Sequence, residues 1–336
     1  MTEQMMTLAA VERLCLDALT MVGASHDNAA AVARSTMLAE RDGIRSHGLL
    51  YVPIYAEHVR CGKVDGMARP VVSQPRSGAV VVDAATGFAH PAIDAGWDRF
   101  IVSARQNGVA VMTVFNSYNC GVLGHHAERI AEAGLLGLCT THAPASIAPP
   151  GGRVPLIGTN PFALGVPGGQ VGAAAALVLD QSASVVAKSE ILLRAREERL
   201  IEPGWALDAD GTETLDPAEA LRGSMVPAGG HKGFGAGLLV EILASCLSGA
   251  VLSKDASPFS GTAGGPPRTG QCFIAFDPSA FSAGFSQQVT NLVAAITAQH
   301  GARLPGGRRQ AARERTGRDG VLVDASLIER IEAFIR

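Results

Sequence analysis

The first sixty residues carry apolar side chains at the spacing of amphipathic helices. Hydrophobic positions recur every three or four residues between charged ones, and this periodicity indicates α-helices. The polar, glycine-bearing segment 41–48 interrupts the pattern and is predicted to be a loop. The predicted helices span residues 5–23, 26–42 and 49–62, with Ser25 or Asp27 as the cap of the second and Pro53 in the first turn of the third.

Beyond Pro70 the pattern changes to short apolar runs that alternate with helical segments. Strands are predicted at 79–87, 109–117, 135–144, 161–167, 174–182 and 271–278, and helices at about 90–107, 125–134, 185–199 and from 234. Because helix 125–134 lies between the strands 109–117 and 135–144, these elements predict a right-handed β-α-β unit with parallel strands.

The segment after residue 280 is again predicted to be helical, and it contains a basic loop at 303–315. This order of elements predicts an α/β fold of two domains. Residues 73–282 form a central α/β domain with a mostly parallel or mixed sheet. Residues 1–72 and 283–336 together form a discontinuous helical domain that is built from both termini.

Composition narrows the class of protein. The 336 residues include 39 glycines and only 5% aromatic residues, and the net charge is -3. A nearly neutral chain has no basic field for nucleic acid or an anionic membrane. The six cysteines occur singly, no apolar run reaches the ~18 residues of a membrane span, and the first residues do not resemble a signal peptide. We therefore expect a soluble, cytoplasmic protein that binds neither nucleic acid nor a membrane and needs no metal.

Polar residues cluster where three of the predicted strands end. These ends read Asn116-Ser117-Tyr118-Asn119, Thr140-Thr141-His142 and Asp180-Gln181-Ser182. In open α/β sheets the ligand binds outside the carboxyl ends of the strands, so the three ends predict one shared site. The alternative is that each strand simply continues into a polar loop.

Several signatures of other enzymes are absent. No predicted strand is followed by GxGxxG, and GxxxxGK[ST], HExxH and GxSxG are also missing, which disfavours a Rossmann dinucleotide site, P-loop chemistry, zinc proteolysis and serine hydrolysis. The turn Gly229–Gly233 opens a predicted helix, and its bare amides together with Lys232 suit an anion. A glycine-rich turn with a solvated lysine is the equal alternative.

Two ionisable residues are candidates for catalysis. His47 lies in the loop 41–48, and a histidine there can exchange protons near neutral pH. Asp180 closes an apolar strand, where its carboxylate needs a partner, either a backbone amide or His47. Five other histidines are expected at the surface or at a helix start: His26, His58, His125, His126 and His300.

Several segments resemble the type-2 malate/L-lactate dehydrogenase family of NAD(P)-dependent oxidoreductases. The segments are RDGIRSHG (41–48), NGVAVMTVFNS (107–117), GTNPFALGVP (158–167), LDQSASVVAKSEI (179–191), AREERLIEPGWALDADG (195–211) and GGHKGFG (229–235). The resemblance extends over about residues 10–325. It implies that residues 73–282 form a non-Rossmann nicotinamide-binding domain, that the protein is a homodimer, and that the active site lies in the cleft between this domain and the helical one.

The resemblance also implies roles for individual residues. His47 would be the acid/base catalyst, with Asp180 close to it. The substrate pocket would include Ser46, Tyr51, Thr159 and Asn160. The cofactor, NADPH or alternatively NADH, would be bound by Ser117, Asn119, Gly121, Thr141, Ser182, Lys188, His231, Lys232, Gly233, Arg308 and Arg309.

Two positions depart from the pattern of the family. Tyr51 stands where the family usually has an arginine, four residues after the histidine, and Asn119 stands where many members have a histidine. An arginine fork binds a carboxylate through two charged hydrogen bonds, whereas a tyrosine offers one neutral bond. Binding of the substrate carboxylate is therefore expected to be weaker or to come from another group, with Arg45 and Arg153 as candidates.

Five shorter segments indicate the substrate class by their resemblance to one group within the family. Residues 41–48, 61–72, 87–92, 229–233 and 303–309 look most like the Δ1-piperideine-2-carboxylate/Δ1-pyrroline-2-carboxylate reductases. Those enzymes reduce a cyclic imino acid to L-pipecolate or L-proline with NADPH. One alternative is a 2-hydroxy acid dehydrogenase of the malate, lactate, sulfolactate or ureidoglycolate type. An alternative of another class is a catalytically inactive nucleotide-binding module.

Overall fold

Helices and strands alternate along the computed structural model, which describes residues 3–169 and 171–336. The strands are β1 (Glu3–Met6), β2 (Val71–Arg76), β3 (Ala79–Asp83), β4 (Val109–Ser117), β5 (Leu136–Thr141), β6 (Phe162–Val166), β7 (Leu177–Gln181), β8 (Ala206–Leu207), β9 (Ser224–Met225), β10 (Thr269–Phe276) and β11 (Val321–Asp324). The helices are α1 (Leu8–Met21), α2 (His26–Arg41), α3 (Val52–Arg60), α4 (Ala89–Asn107), α5 (Leu123–Glu132), α6 (Lys188–Arg196), α7 (Pro217–Arg222), α8 (His231–Glu241), α9 (Phe285–Thr297), α10 (Gly307–Asp319) and α11 (Ala325–Glu332).

A seven-stranded mixed sheet forms the centre of the fold, in the order β2-β3-β4-β10-β5-β6-β7. Only β3 and β4 pair in parallel, and the other neighbours are antiparallel. The strands β4 and β5 run in the same direction, as predicted, but they are not neighbours because β10 lies between them. The side chains of β10 explain this position, since Cys272, Phe273 and Ala275 are fully buried and need covering on both faces.

The predicted helices are present, with small shifts at their ends. Ser25 caps α2 by accepting a hydrogen bond from the amide of Asn28, and Pro53 lies in the first turn of α3. The chain before α3 is a short 3₁₀ helix, Leu49–Tyr51, and α8 continues into a π-helical turn, Ile242–Cys246.

One prediction for the C-terminal segment is wrong. Residues 303–315 were expected to be a basic loop, but Gly307–Asp319 form α10. Arginine, alanine, glutamate and glutamine favour a helix even where few apolar residues mark its face. This helix buries only Ala312 and Thr316, one turn apart, and the Thr316 hydroxyl donates to the carbonyl of Arg41 at the end of α2.

Buried apolar residues form three clusters. The first lies between the sheet and helices α4 and α5, and the third joins residues from 147 to 225. The second combines α1, α2 and α3 with β11 and α11, so both ends of the chain share one core. The domain boundaries near residues 72 and 283 stay a prediction. In the described residues, no helix is both long and apolar enough to span a bilayer.

The carboxylate of Asp42 joins three segments that are distant in sequence. It lies at the end of α2 with a fully buried side chain, and Arg313 of α10 donates to both of its oxygens at 2.8 and 2.7 Å. Arg41 and His125 also contact it at 2.9 and 3.0 Å. Arg313 in turn forms two hydrogen bonds of 2.6 Å with Glu128 of α5. Burial alone would raise the pKa of Asp42, but the hydrogen bonds from Arg313, His125 and Arg41 outweigh it and hold this pKa well below its usual range.

Replacing Asp42 with asparagine should destabilise the fold strongly. The variant removes the fully buried charge that Arg41 and Arg313 share, although Glu128 still pairs with Arg313. Breaking a buried ion pair on one side typically costs about 3–5 kcal/mol of unfolding free energy. Urea denaturation followed by circular dichroism measures the effect. The exposed ion pair of Arg318 and Asp319 provides the control, and Asp319→Asn should leave the urea midpoint unchanged. Equal midpoints for the two variants would contradict a structural role for Asp42.

The same ion pairing has a consequence for pH. Because the pKa of Asp42 is depressed in the folded state, its contribution is fully present above about pH 4, the value of a free aspartate. The contribution is lost only as the pH falls towards the depressed value.

Candidate active site

The polar strand ends lie at one edge of the sheet. The strands β4, β5 and β7 run in the same direction, so Ser117, Thr141 and Asp180 lie at their carboxyl ends, next to the amino ends of β10 and β6. Gln271, at the start of β10, connects the first two. Its side chain accepts a hydrogen bond from Ser117 Oγ at 3.0 Å and donates to Thr141 Oγ1 at 3.3 Å. Sequence reasoning missed this residue, although an amide at the start of an apolar strand was a usable signal.

Aromatic side chains support the loop that follows β4. The ring of Tyr118 is 1% exposed and packs edge-on against Tyr55, Phe88 and Phe259. Its hydroxyl forms a hydrogen bond with Nδ1 of His58, and Nε2 of His58 donates to the carbonyl of Gly261 at 2.9 Å. The expectation of a surface position for His58 is therefore wrong. The residue is buried because the loop 257–264, two hundred residues away in sequence, covers its helix face.

Tyr51 and Asn119, the two departures from the family pattern, lie on the same wall of the site. The ring of Tyr51 is 4.8 Å from that of Tyr55, and the Tyr55 hydroxyl donates to Asn119 Oδ1 at 3.5 Å. The same oxygen accepts a hydrogen bond from the amide of Gly121 at 2.7 Å and so closes the turn. Burial raises the pKa of Tyr51, partly offset by Asn119, so the phenol is neutral at physiological pH. This wall therefore carries no formal charge.

His47, the predicted acid/base, lies in a short 3₁₀ helix, Arg45–His47, between α2 and α3. Its Nδ1 forms a hydrogen bond of 3.0 Å with the hydroxyl of Ser46. Gly48 follows directly, and a side chain there would collide with the carboxylate of Glu40, which accepts a hydrogen bond of 2.7 Å from the amide of Leu49. Burial lowers the pKa of His47, and the carboxylate of Asp180 opposes that shift. The imidazole is thus mostly neutral at pH 7.

Asp180 acts on His47 through its charge, since the described residues show no hydrogen bond between the two side chains. Its Oδ2 accepts a hydrogen bond from the amide of Gly124 at 2.9 Å. Of the two partners considered from sequence, the structure therefore shows the backbone amide. A second partner was not foreseen: Arg309 places its Nη2 3.4 Å from the same oxygen. The Nη1 of Arg309 is buried and has no hydrogen-bond partner in the described residues.

Three histidines lie beneath this part of the site. His125 donates from Nε2 to Asp42 and lowers the pKa of His47, which connects the ion pairs of α2 and α10 to the site. His126 donates to the carbonyl of Cys120 at 2.9 Å. His90 is 4% exposed, and its neighbour His126 adds to burial in lowering the pKa of His90 to about 3. The expectation that His125 and His126 cap a helix or lie at the surface is wrong, whereas His26 and His300 are exposed.

The remaining predicted substrate residues differ in exposure. Thr159 is half-buried, whereas Asn160 is fully buried and has a left-handed backbone at φ 38°. The amide nitrogen of Asn160 donates to the carbonyl of Gly237 at 3.0 Å and to Glu241 at 2.8 Å, and its oxygen accepts from the amide of Ala143 at 3.2 Å. With all these groups engaged, Asn160 fixes the backbone around the pocket. Direct contact of either residue with a substrate stays a prediction.

The predicted cofactor residues fall into two groups. Ser117, Asn119, Gly121, Thr141 and Arg309 lie along the edge described above. The others lie on helix starts or connecting turns: Ser182 forms a hydrogen bond with Ser184, Lys188 opens α6, His231, Lys232 and Gly233 open α8, and Arg308 opens α10. Lys188 lines a separate cavity of about 210 Å³ with Arg222 and Ser146.

The residues present suit a dinucleotide. Gly229 and Gly230 have φ of +72° and +64° and lead into the exposed side chains of His231 and Lys232 at the start of α8, and such a helix start suits a phosphate group. At Gly121, φ is +70°, and a Cβ would lie 2.6 Å from Ser35 Oγ and 2.9 Å from His90 Nε2. The chain can pass here only because this position has no side chain.

Comparison with known proteins agrees with this geometry. The family model described as malate/L-lactate dehydrogenase matches residues 6–332. The chain belongs to the malate/L-lactate dehydrogenase family. The resemblance seen in the sequence is therefore confirmed, the protein is an oxidoreductase, and membership implies a nicotinamide cofactor.

Two curated relatives and one solved structure are similar to this chain over nearly its whole length, and their names give three different activities. A Δ1-pyrroline-2-carboxylate reductase of Ancylobacter novellus is 39% identical, covering 98% of this chain and 97% of the relative. A (2R)-3-sulfolactate dehydrogenase (NADP+) of Chromohalobacter salexigens is 40% identical, covering 98% of each. Among solved structures, Δ1-piperideine-2-carboxylate reductase of Pseudomonas syringae is 34% identical with a TM-score of 0.92, covering 98% of this chain and 99% of that one.

Proposed function

We propose that this protein reduces a cyclic imino acid, Δ1-pyrroline-2-carboxylate or Δ1-piperideine-2-carboxylate, to L-proline or L-pipecolate with NADPH. The observation that carries the proposal is the similarity of this chain, over nearly its whole length, to reductases named for these two substrates. Burial also lowers the pKa of His47 and so disfavours its protonated form. A cyclic imine brings its own proton on nitrogen, so the site needs no protonated histidine.

The chemistry divides between the cofactor and the protein. When bound, the nicotinamide supplies a hydride to the sp² carbon that carries the carboxylate. The C=N double bond then becomes a single bond, and the nitrogen keeps its proton as an amine. His47 orients the N–H of the substrate with its free Nε2, while Ser46 fixes the ring through Nδ1. The carboxylate of Asp180 stabilises the positive charge of the iminium before transfer.

A 2-hydroxy acid dehydrogenase is the second candidate, and the sulfolactate dehydrogenase relative favours it. Reduction of a keto acid generates an alkoxide, which must receive a proton in the same step. Protonated His47 is the donor in that mechanism, and Asp180 stabilises its charged form. The NADP+ in the name of that relative supports NADPH over NADH in either mechanism. The third candidate, a nucleotide-binding module without catalysis, would bind the cofactor and oxidise none with any substrate.

Two exposed apolar surfaces support a homodimer. Helix α8 and its π-helical turn expose Leu238, Leu239, Ile242 and Leu247, each by 42–58%. Helix α9 has an apolar stripe of Phe285, Val289, Leu292, Val293 and Ile296, and it buries none of its residues. A helix with an apolar stripe gains its stability mainly from burying that stripe. Because one chain presents both surfaces, a second copy supplies a matching cover for each. The six free thiols suit a reducing compartment such as the cytoplasm.

A substrate panel tests the reaction. With NADPH, kcat/KM for the two cyclic imines should exceed that for pyruvate, oxaloacetate and sulfopyruvate by at least about tenfold. The pH profiles add a second criterion. A keto acid reduction needs protonated His47 and declines as the pH rises through a pKa below 6.5, whereas imine reduction continues through neutral pH. Faster reduction of a keto acid, with that decline, would instead assign a hydroxy acid dehydrogenase.

His47→Ala tests the assignment of the acid/base. Loss of a positioned proton-exchanging group should lower kcat by at least about 100-fold. The dissociation constant of NADPH, measured by fluorescence titration, should change by less than about threefold, because no predicted cofactor contact is removed. The exposed His300 supplies the control, and His300→Ala should have wild-type kcat. A wild-type rate in the His47 variant would refute the assignment.

Charged substitutions on α8 test the dimer. Light scattering should give twice the chain mass of 34.6 kDa for the wild type and the single mass for Leu239→Asp/Ile242→Asp, because a buried carboxylate opposes association. Leu200→Asp, at an exposed leucine outside the two surfaces, should leave the mass doubled. A wild type of single mass would contradict the proposal.

A further inference from the structure

The wall that carries Tyr51 and Asn119 offers no charge to the carboxylate of a substrate. Tyr51 packs on the ring of Tyr55 with a neutral phenol, and the Asn119 oxygen is occupied by Tyr55 and the Gly121 amide. A carboxylate placed against this wall would gain neutral hydrogen bonds alone. Charge-assisted bonds are roughly twice as strong, so a site for an imino or keto acid needs a cation elsewhere.

The two arginines considered from sequence do not supply that cation. Arg45 is exposed, and its guanidinium donates to the carbonyl of Leu322 at 3.2 Å, at the edge of the small β1–β11 sheet. Arg153 is also exposed, and its side chain lies along Gly211 in the turn after β8. Within the described part of the chain, neither side chain forms a hydrogen bond or an ion pair with His47, Asp180 or the loop after β4.

Arg309 supplies a cation at the right place. Its side chain is 15% exposed and reaches from the first turn of α10 to Asp180, whose own side chain is 18% exposed. Nη1 points to Gly124, where an added Cβ would lie 2.3 Å from this nitrogen and 2.6 Å from Asp180 Oδ2. Because Gly124 has no side chain, there is room for the ion pair of Arg309 and Asp180.

The unpartnered nitrogen of Arg309 indicates a ligand. A buried N–H group without an acceptor costs about 1–3 kcal/mol, and more when it belongs to a charged group. The guanidinium fork has one arm on Asp180 and the other arm free, so it can hold one carboxylate oxygen while it keeps its ion pair. The adjacent Arg308 is exposed, which leaves it available for a cofactor phosphate.

We propose that Arg309 binds the carboxylate of the substrate and that Tyr51 and Asn119 contact its uncharged ring. The proposal rests on the proposed function, and it places the ends of the substrate on opposite sides of His47. It also assigns Arg309 to the substrate, whereas the family resemblance assigns it to the cofactor. The net charge around the reacting atoms is then balanced, since Arg309 and the iminium face the carboxylates of Asp180 and the substrate.

The kinetic test compares substrates with and without the carboxylate. In Arg309→Gln, KM for Δ1-pyrroline-2-carboxylate should rise about 10- to 100-fold, the loss expected for one charge-assisted hydrogen bond. The smaller imine Δ1-pyrroline has no carboxylate, and its kcat/KM should change less than about threefold. Arg315→Gln, at an exposed arginine of the same helix, is the matched control and should leave both substrates unaffected.

Binding measurements make the test independent of turnover. Calorimetry on the NADP+ complex should show that pyrrole-2-carboxylate, a planar unreactive analogue, binds to the wild type. This binding should be lost in Arg309→Gln, whereas the affinity for NADPH should be retained. A weaker NADPH affinity with an unchanged affinity for the analogue would overturn the proposal and assign Arg309 to the phosphates. If the wild type binds the analogue but reduces neither imine, the proposed reaction is refuted, whereas the proposed carboxylate site is supported. A wild type that does not bind the analogue would overturn the carboxylate site.

Discussion

The buried carboxylate of Asp42 determines where the rest of the site can be. It ends α2, takes two hydrogen bonds from Arg313 of α10 and one from His125 of α5, and Arg313 is held in turn by Glu128. Three segments that are up to 271 residues apart meet at this point. His47 follows α2 by a few residues, Gly124 precedes His125 in α5, and Arg309 precedes Arg313 by one helical turn. The ion pairs of Asp42 thus place the three groups that surround Asp180.

The charged side chains and the uncharged side chains lie on different sides of the site. Asp180 and Arg309 form a partly exposed pair beside His47, whereas Tyr51, Tyr55 and Asn119 form a neutral wall. A neutral wall of low dielectric constant screens charges less than water does, so the interaction between the charges on the other side is stronger. The two departures from the family pattern are therefore parts of one arrangement. They remove charge from the wall on which the family usually has an arginine, and they leave Arg309 as the cation next to Asp180.

Local pattern was enough to predict the elements that define the fold class. Each predicted strand of the central sheet is present, and the polar strand ends share one edge because β4, β5 and β7 run in the same direction. What could not be predicted depends on contacts between distant segments. The position of β10 between β4 and β5 depends on long-range tertiary contacts, which no local stretch of sequence reveals.

The same limit applies to single residues. His58 has the sequence surroundings of a surface residue, and only the loop at Gly261 makes it buried. The hydrogen bonds of Asp42 with His125 and Arg313, and the contact between Arg309 and Asp180, join residues that are at least 83 positions apart, so none of them appears as a motif. Helix α10 was missed because its two buried residues give too weak a periodic signal.

A crystal structure of the complex with NADP+ and L-pipecolate would test the central claim most directly. The carboxylate should lie within hydrogen-bond distance of Arg309 Nη1, the ring nitrogen should face His47, and the ring carbons should pack against Tyr51. A carboxylate bound on the wall of Tyr51 and Asn119, with Arg309 on a cofactor phosphate, would contradict it.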